Sequence, residues 1–496
     1  MMMPIRSLSL LLIAFTSGGF AAEGFPWYPE DPLGTHEDVS TTPGVAATQV
    51  DKDPCLSKGA RGEKWTLVEI IDHALCHNPQ TRQAWAQAKQ QASLMGSAES
   101  AYLPSFNFNM PISRSQNTAG GGIANGVPVN GGGSTKVSGT NQFTRVVPQL
   151  SVNYLLLDFG GRAARVEAAR QALEAANWQH ASVIQNVLYA TLQAYYQLFA
   201  SRASLDAAEQ TVKSMQVAYD SAAYRFQVGS SALGDKLQAQ TILAQAKVSQ
   251  KTAEGNARAS LGAMANAMGL NPHHSLEIEA PQLVDPNPER EKDIESLMDV
   301  AREARPDLAS AEAQVKASQA NVLSARSNGM PQLSLVGSYS YLDSLNYSAV
   351  SSWAIGVQVS VPLFTGFNNT YQVRAAEEQA EATAASRDQL EQAITQSVWQ
   401  AYYTLSATRD NLKNTEELLN VAKDAEHVAL GRYREGVGNI VEVMNAENNL
   451  ANARYSFVSA HYNWRIGKAQ LAQALGRLDA GDVEAVEGAT QNRVME

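Results

Sequence analysis

Apolar and polar positions alternate in four stretches of this chain. Ser105, Asn107 and Asn109 interleave with Phe106, Phe108 and Met110, and Leu333, Leu335 and Val336 lead into Tyr339 and Tyr341. A further stretch follows each of these, over 146–157 and 353–363. Period-two alternation over about ten residues, with aromatics near the ends, predicts strands with one apolar and one polar face, as membrane barrels use.

Elsewhere the period is helical. One helix is predicted over 67–101 and another over 294–327. No proline falls between Pro148 and Pro272, or after Pro362, and both stretches are rich in strong helix formers. Within them apolar residues recur at four-three spacing: Val398, Tyr402, Leu405, Leu412 and Leu419, with Tyr195, Leu198, Leu205 and Val212 in the earlier stretch. This is coiled-coil periodicity. A helix over 162–227 would be roughly 100 Å long at its ordinary rise, and such a helix persists only when a neighbour covers its apolar stripe. Each stretch holds one reversal, Val228-Gly229-Ser230-Ser231 and Gly436-Val437-Gly438-Asn439, where glycine permits the positive φ that ends a helix.

The two stretches are copies. Gln193-Ala194-Tyr195-Tyr196 recurs as Gln400-Ala401-Tyr402-Tyr403, a shift of 207 residues. The same shift carries Arg202 onto Arg409, Arg225 onto Arg432, Gly229 onto Gly436 and Gly269 onto Gly476. Upstream the shift is 227, relating Pro79 to Pro306 and Leu103-Pro104 to Met330-Pro331, and a longer Gly- and Asn-rich loop over 116–140 absorbs the difference. The chain therefore reads as a tandem duplication with a unit of about 200 residues, too long for an ordinary solenoid. The expected divisions are a signal peptide at 1–21, an N-terminal extension at 22–64, repeats at 65–272 and 294–478 joined by a linker, and an acidic tail from Asp479 to Glu496.

Charge and composition narrow the function. A net charge of −11 with no Lys/Arg-rich run argues against nucleic acid. Arg6, the apolar residues 8–15, and Gly19 and Ala21 before a cleavage point form an export signal. No Cys follows directly, which argues against a lipid anchor. No segment reads as a membrane-spanning helix, so a chain seated in a membrane would need a closed β-barrel. Cys55 and Cys76 are the chain's two cysteines. In an exported protein a disulfide between them is the natural reading, the alternative being two separately buried thiols; with His73 or His77 they make an incomplete metal set.

With the duplication, the Asp158-Phe159-Gly160-Gly161 and Phe364-Thr365-Gly366 turns, and the motifs around Gly229 and Gly436, the sequence resembles the TolC family of outer-membrane efflux proteins. The resemblance runs from about Trp65 to Leu478. It implies an α+β membrane protein: four strands per subunit in an outer-membrane β-barrel, continued by an antiparallel coiled-coil tunnel into the periplasm. It further implies a homotrimer in outer-membrane lipid, a periplasmic adaptor (membrane fusion) protein, and an inner-membrane RND or ABC transporter. The implied function is the duct of a tripartite efflux pump or type I secretion system. Two hairpins and four strands cannot close a channel alone, so an oligomer must cover the sheet edges.

The resemblance also implies a gate at the hairpin tips. Its matching positions are Asp235 in the first copy and Tyr433, Glu442 and Asn445 in the second, with Gly229 and Gly436 as turn formers and adaptor-docking positions. Rings of Glu442 would favour cations. Two departures matter. Asn445 stands where some members carry a second acid, and Gly438 stands where some carry Arg. Read without the resemblance, Asp235 and Glu442 are solvated carboxylates at helix starts.

No catalytic or cofactor motif has convincing spacing. The glycine-rich 120–133 lacks the Lys of a phosphate loop, and His273-His274 reads as a solvated loop. The chain is expected not to be an enzyme and to hold no cofactor. A periplasmic coiled-coil adaptor or scaffold is the alternative, but it would lack the four strands.

Overall fold

The computed structural model describes residues 31–39, 64–118, 140–273, 276–281, 294–344 and 347–478. The export signal, Cys55, the 120–133 loop, His274 and the acidic tail lie outside the described residues.

The chain is mostly helical with one small sheet. The predicted first helix is two, α1 (Leu67–His77) and α2 (Pro79–Glu99). The reading carried one helix through Pro79, which has no N–H to donate and forces the residue before it out of the helical region. Asn78 accordingly has ψ 129°, and it caps α2 by accepting from Gln80 N. A Thr66/Glu69 capping box starts α1.

Two long antiparallel hairpins follow the strands. α3 (Gly161–Gln227) and α4 (Leu233–Ala267) form the first. The second half opens with α5 (Ile294–Ala304) and α6 (Pro306–Ser327), where Pro306 breaks the predicted 294–327 helix as Pro79 breaks the first. Its hairpin is α7 (Asn368–Arg434) and α8 (Ile440–Ala474). α3 and α7 each have 67 residues, and α4 and α8 each have 35.

The sheet has six strands: β1 (Ser105–Asn109), β2 (Ile112–Thr118), β3 (Thr140–Val146), β4 (Gln149–Leu157), β5 (Gln332–Ser344) and β6 (Tyr347–Ser360). All observed pairings are antiparallel, ordered β1-β4-β5-β3-β2 with β6 on β5. Four strands were expected and six form: Pro148 interrupts the predicted 146–157, and beyond Pro111, past the end of the predicted 105–110 stretch, β2 continues the run, each break falling where a ladder donor is missing. Both prolines still accept, from Val147 N at 3.1 Å and Tyr341 N at 3.0 Å. The predicted 116–140 loop begins later than expected, since strand pairing continues to Thr118↔Thr140. β6 starts before the expected residue 353 and stops at Ser360, short of Pro362.

Strand passes to helix through left-handed residues: Phe159 (φ 52°) and Gly160 (φ 90°), then Gly366 (φ 63°) and Phe367 (φ 64°). At the first junction Arg162 donates to Leu155 O at 2.6 Å and Leu156 O at 3.1 Å, and its backbone N donates to Asp158 Oδ2 at 2.6 Å.

The main core lies midway along the helices, where α1 packs across α3. Ile70, Ile71, Leu188, Tyr195, Leu198 and Met264 are its centre. α5 plays the same part for α7, with Leu297, Ala301, Ile394 and Val398 buried together. Of the coiled-coil stripe, Tyr195, Leu198, Val398 and Leu412 are fully buried. A 3-10 turn, Thr35–Asp38, docks on α2 and α3, with Val39 packed among Ala88, Ala92 and Leu173. Among the described residues no helix is long and apolar enough to cross a membrane.

Candidate functional site

The hairpin tips are built by glycine. Gly229 (φ 76°) and Gly436 (φ 78°) take the left-handed conformation that L side chains resist. Ser230 N then closes on Arg225 O at 2.8 Å, and Val437 N on Arg432 O at 3.0 Å. The second tip adds Gly438, where a Cβ would stand 3.1 Å from Tyr433 N and from Arg432 Cβ. A larger residue at 438 would press on the chain it crosses.

Asp235 and Glu442 are each the third residue of their helices. There the helix dipole favours a negative charge. Asp235 is half-buried. Glu442 donates its backbone N–H to Asn439 Oδ1 at 3.0 Å, and its carboxylate lies 3.5 Å from Arg432 Nη1. Both side chains of that pair are about half exposed, so it is worth at most about 1 kcal/mol. Asn445 lies one turn further along α8 and is exposed.

Tyr433 is 7% exposed and packs with Ile440, Val443 and Met444, and with Ala218 and Ile242 of the first hairpin. Arg225, from the end of α3, donates to Tyr433 O at 3.0 Å and sets its guanidinium 4.2 Å from the ring centre. Of the expected gate residues, Tyr433, Glu442 and Asn445 therefore belong to one hairpin's tip, with the turn former Gly436, while Asp235 and the turn former Gly229 belong to the other. Sequence reading missed Arg225 and Arg432 as functional residues, although their relation by the 207-residue shift, beside Tyr433, marked them.

It also missed Glu447. This α8 carboxyl is 6% exposed. Burial, reinforced by the neighbouring Glu426, pushes it up to about 7 from the usual carboxylate range, with Arg454 opposing. Glu447 falls four residues after Val443 and three before Leu450, both buried. An acid inside an apolar coiled-coil stripe was a readable signal.

The sheet register divides its residues into two faces. Phe106, Phe108, Leu150, Leu335, Tyr339, Trp353 and Val357 share one, through pairs such as Phe108↔Leu150, Leu150↔Tyr339 and Tyr339↔Trp353. That face is bare in the single chain: Trp353 is 76% exposed and Phe106 66%. The other face carries Ser105, Asn107, Ser151, Asn153, Ser338, Ser340, Ser352 and Gln358, joined by Asn107↔Ser151, Ser151↔Ser338 and Ser340↔Ser352. It is mainly hydroxyl and carboxamide, interrupted by Val336 opposite Asn153, Ala354 opposite Ser338 and Leu155 opposite Ser334, with no charged residue between the β1 and β6 ends of those pairs.

Cys76 is disulfide-bonded; its pairing with Cys55 remains an expectation, since Cys55 lies outside the described residues. His73 and His77 stack on each other at 4.1 Å, and His73 meets Met268 O at 3.1 Å. His273 is exposed, its N–H donating to Asn271 Oδ1 at 3.1 Å. Among the described residues no group of three or more His, Cys, Asp or Glu could hold a metal.

The model of the outer membrane efflux protein family matches residues 70–270 and 297–477. Protein CyaE of Bordetella pertussis is 28% identical over 435 residues, 87% of this chain and 88% of that protein. Outer membrane protein TolC of Vibrio cholerae is 24% identical, with 84% and 92% covered. The crystal structure of the Campylobacter jejuni CmeC outer membrane channel superposes with a TM-score of 0.72 at 18% identity, covering 90% of this chain and 98% of that one. Two family matches that together take in both halves of the chain, each with its strands and its hairpin, leave one conclusion: this protein belongs to the outer membrane efflux protein family, whose members are channels of the outer membrane.

Proposed function

We propose that the chain is the duct of an export complex, in which three copies close a twelve-stranded barrel above a tunnel of helical hairpins. The observation that carries this reading is the division of the sheet. A bare apolar face beside a neutral hydrophilic one fits a wall with lipid outside and water inside. Closure by further copies also removes the sheet edges left at β1, β2 and β6. The exposed Phe159, Phe364 and Phe367 at the strand-to-helix turns suit a membrane interface.

On this reading the duct is passive. An inner-membrane RND or ABC transporter supplies cargo through a periplasmic adaptor, in a tripartite pump or a type I secretion system. The chain's two repeats, 65–272 and 294–478, descend from one duplicated unit and each contribute half of the subunit's wall. The hairpin tips form the gate: Arg225 with Tyr433 ties the tips together, and the Asp235 and Glu442 carboxylates select for cations at the mouth. Gly229 and Gly436 shape the ends against which an adaptor docks.

Detergent-extracted protein in a planar bilayer tests the duct. Discrete, lasting conductance steps from protein that fractionates with outer membranes are expected. Protein that extracts in salt and forms no channels would instead be a periplasmic scaffold.

A further inference from the structure

We propose that neighbouring copies of the chain meet through α7 of one and α4 of the next, repeating the contact that α3 makes with α8 inside the chain. Trp399 of α7 then seats on Ala259 and Gly262 of the partner's α4. The inference rests on the reading of the protein as a ring of copies, and goes beyond it by assigning the two faces and the order in which they meet.

The template lies within the chain, where the two hairpins join along α3 and α8. Gln185 donates to Gly476 O at 2.8 Å, and Gln473 donates to Asn186 Oδ1 at 2.8 Å. Further along, the Arg465 guanidinium stands 5.7 Å from the ring centre of Tyr196. Numbers fall on α8 as they rise on α3, so the two helices run antiparallel. Leu192 and Tyr196 are buried here, in the cluster that Ile466 and Ala469 of α8 share.

The 207-residue shift carries these positions onto α7 and α4. Leu192 becomes Trp399 and Tyr196 becomes Tyr403, while Arg465 becomes Arg258, Ile466 becomes Ala259 and Ala469 becomes Gly262. In the single chain Trp399 is 49% exposed and Tyr403 50%, and Arg258 and Ala259 are exposed as well. Two of the polar contacts keep their chemistry. Arg258, anchored by Glu254 on its own helix, offers its guanidinium to the ring of the partner's Tyr403. Gln185 and Gly476 become the exposed Gln392 and Gly269, again a carboxamide for a carbonyl. The Asn186–Gln473 bond is not repeated, because its equivalents are Ala393 and Asn266.

The apolar partners are exchanged in size. Inside the chain Leu192 faces Ile466 and Ala469; between copies the larger Trp399 faces the smaller Ala259 and Gly262. Bulk added to α7 is matched by bulk removed from α4, as close packing requires. Setting Trp399 against Ile466 of α8 would overpack, so first and second hairpins alternate around the ring. A face of α7 on a different face of α4 is a head-to-tail contact, the kind that generates rings. Gly262 gives the contact a sign that can be tested. A Cβ there would meet Pro272 Cβ at an ordinary 3.7 Å, so the single chain has room for a side chain. Helix propensity alone makes replacement of this glycine stabilising, whereas a seat for the partner's indole makes a large replacement destabilising.

The test is the size and heat resistance of the full-length oligomer in detergent, for wild type, Gly262→Leu, Trp399→Ala and the two together. Each single change should lower the dissociation temperature by at least about 5 °C. The pair should lose less than the two losses summed, because the new side chain fills the space the indole left. An oligomer that Gly262→Leu stabilises or leaves unchanged, or losses that simply add, overturns the proposal. A second measurement does not depend on packing changes. Tyr403→Cys combined with Ala259→Cys, bridged by a short bis-maleimide, should give covalent dimers and trimers on denaturing gels, and neither single variant should. If wild type is an oligomer but bridging leaves only monomers, the assignment of faces fails and the ring stands. If wild type runs as a monomer, the ring fails and takes the faces with it.

Discussion

The guanidinium of Arg225 stands 4.2 Å from the ring centre of Tyr433 and donates to that residue's carbonyl oxygen at 3.0 Å, tying the end of α3 to the end of α7. A hydrogen bond from a charged donor contributes about 1.5–3 kcal/mol and a partly desolvated cation–π contact about 1–2 kcal/mol. This is more than the half-exposed Arg432–Glu442 pair can supply, so the tip-to-tip tie resides in Arg225.

We therefore predict that Arg225→Ala raises open probability in a planar bilayer by roughly tenfold or more. Arg225→Lys should recover only part of the closure, because an ammonium cannot both stack and reach the carbonyl as a planar fork does. Tyr433→Phe should behave as wild type, since the contacts use the ring and the main chain; Tyr433→Ala should resemble Arg225→Ala.

Adjacent residues on β1 face opposite sides of the sheet, which gives a paired prediction. Asn107→Lys places cations on the neutral face and should shift reversal potentials toward anions while the protein still assembles. Phe108→Lys, one residue on, places the cation on the apolar face and should cost about 2–4 kcal/mol near mid-membrane. It would be read as lost heat resistance of the oligomer in gel assays. Equal effects from the two substitutions would contradict the assignment of faces.

At the sheet–helix junction Gly161 has no room for a side chain. An added Cβ would collide with Ser327 Oγ and stand 3.0 Å from Asp158 Oδ2. Gly161→Ala should lower thermal stability by about 1–3 kcal/mol. Adding Ser327→Ala removes the nearest atom and should restore part of the loss, so the two changes are non-additive.

For the N-terminal region, free-thiol titration of exported protein should find no reactive thiol. Cys76→Ser should then expose one thiol, on Cys55, and lower stability by about 2–4 kcal/mol, with conductance unchanged. Two reactive thiols in the unaltered protein would remove the disulfide.

Much of this architecture was legible in the chain. The proline-free stretches located the long helices, the first expected over 162–227 and found at Gly161–Gln227, and Gly229 and Gly436 marked the reversals. Strand alternation located the sheet and sorted its faces. The errors came from underweighting local backbone chemistry. Pro79 and Pro306 each interrupt a predicted helix and Pro148 interrupts the predicted 146–157 strand, because a missing donor outweighs a continuing apolar pattern, while β2 beyond Pro111 went unread. The contacts of the tips were illegible for a different reason. Whether Arg225 reaches Tyr433, and Arg432 its own hairpin's Glu442, depends on how two hairpins lean together. Residues related by the repeat take different partners. The docking of Thr35–Asp38 on α2 had no periodic signal, since a single turn is too short to show one.

The most direct test of the central claim, a duct closed at its helical tips, is single-channel conductance of the purified protein before and after the double substitution Asp235→Ala and Glu442→Ala. We predict a small, cation-preferring conductance in the wild type that becomes larger and less selective in the variant. Channels whose conductance and selectivity are unchanged by the double substitution would contradict it.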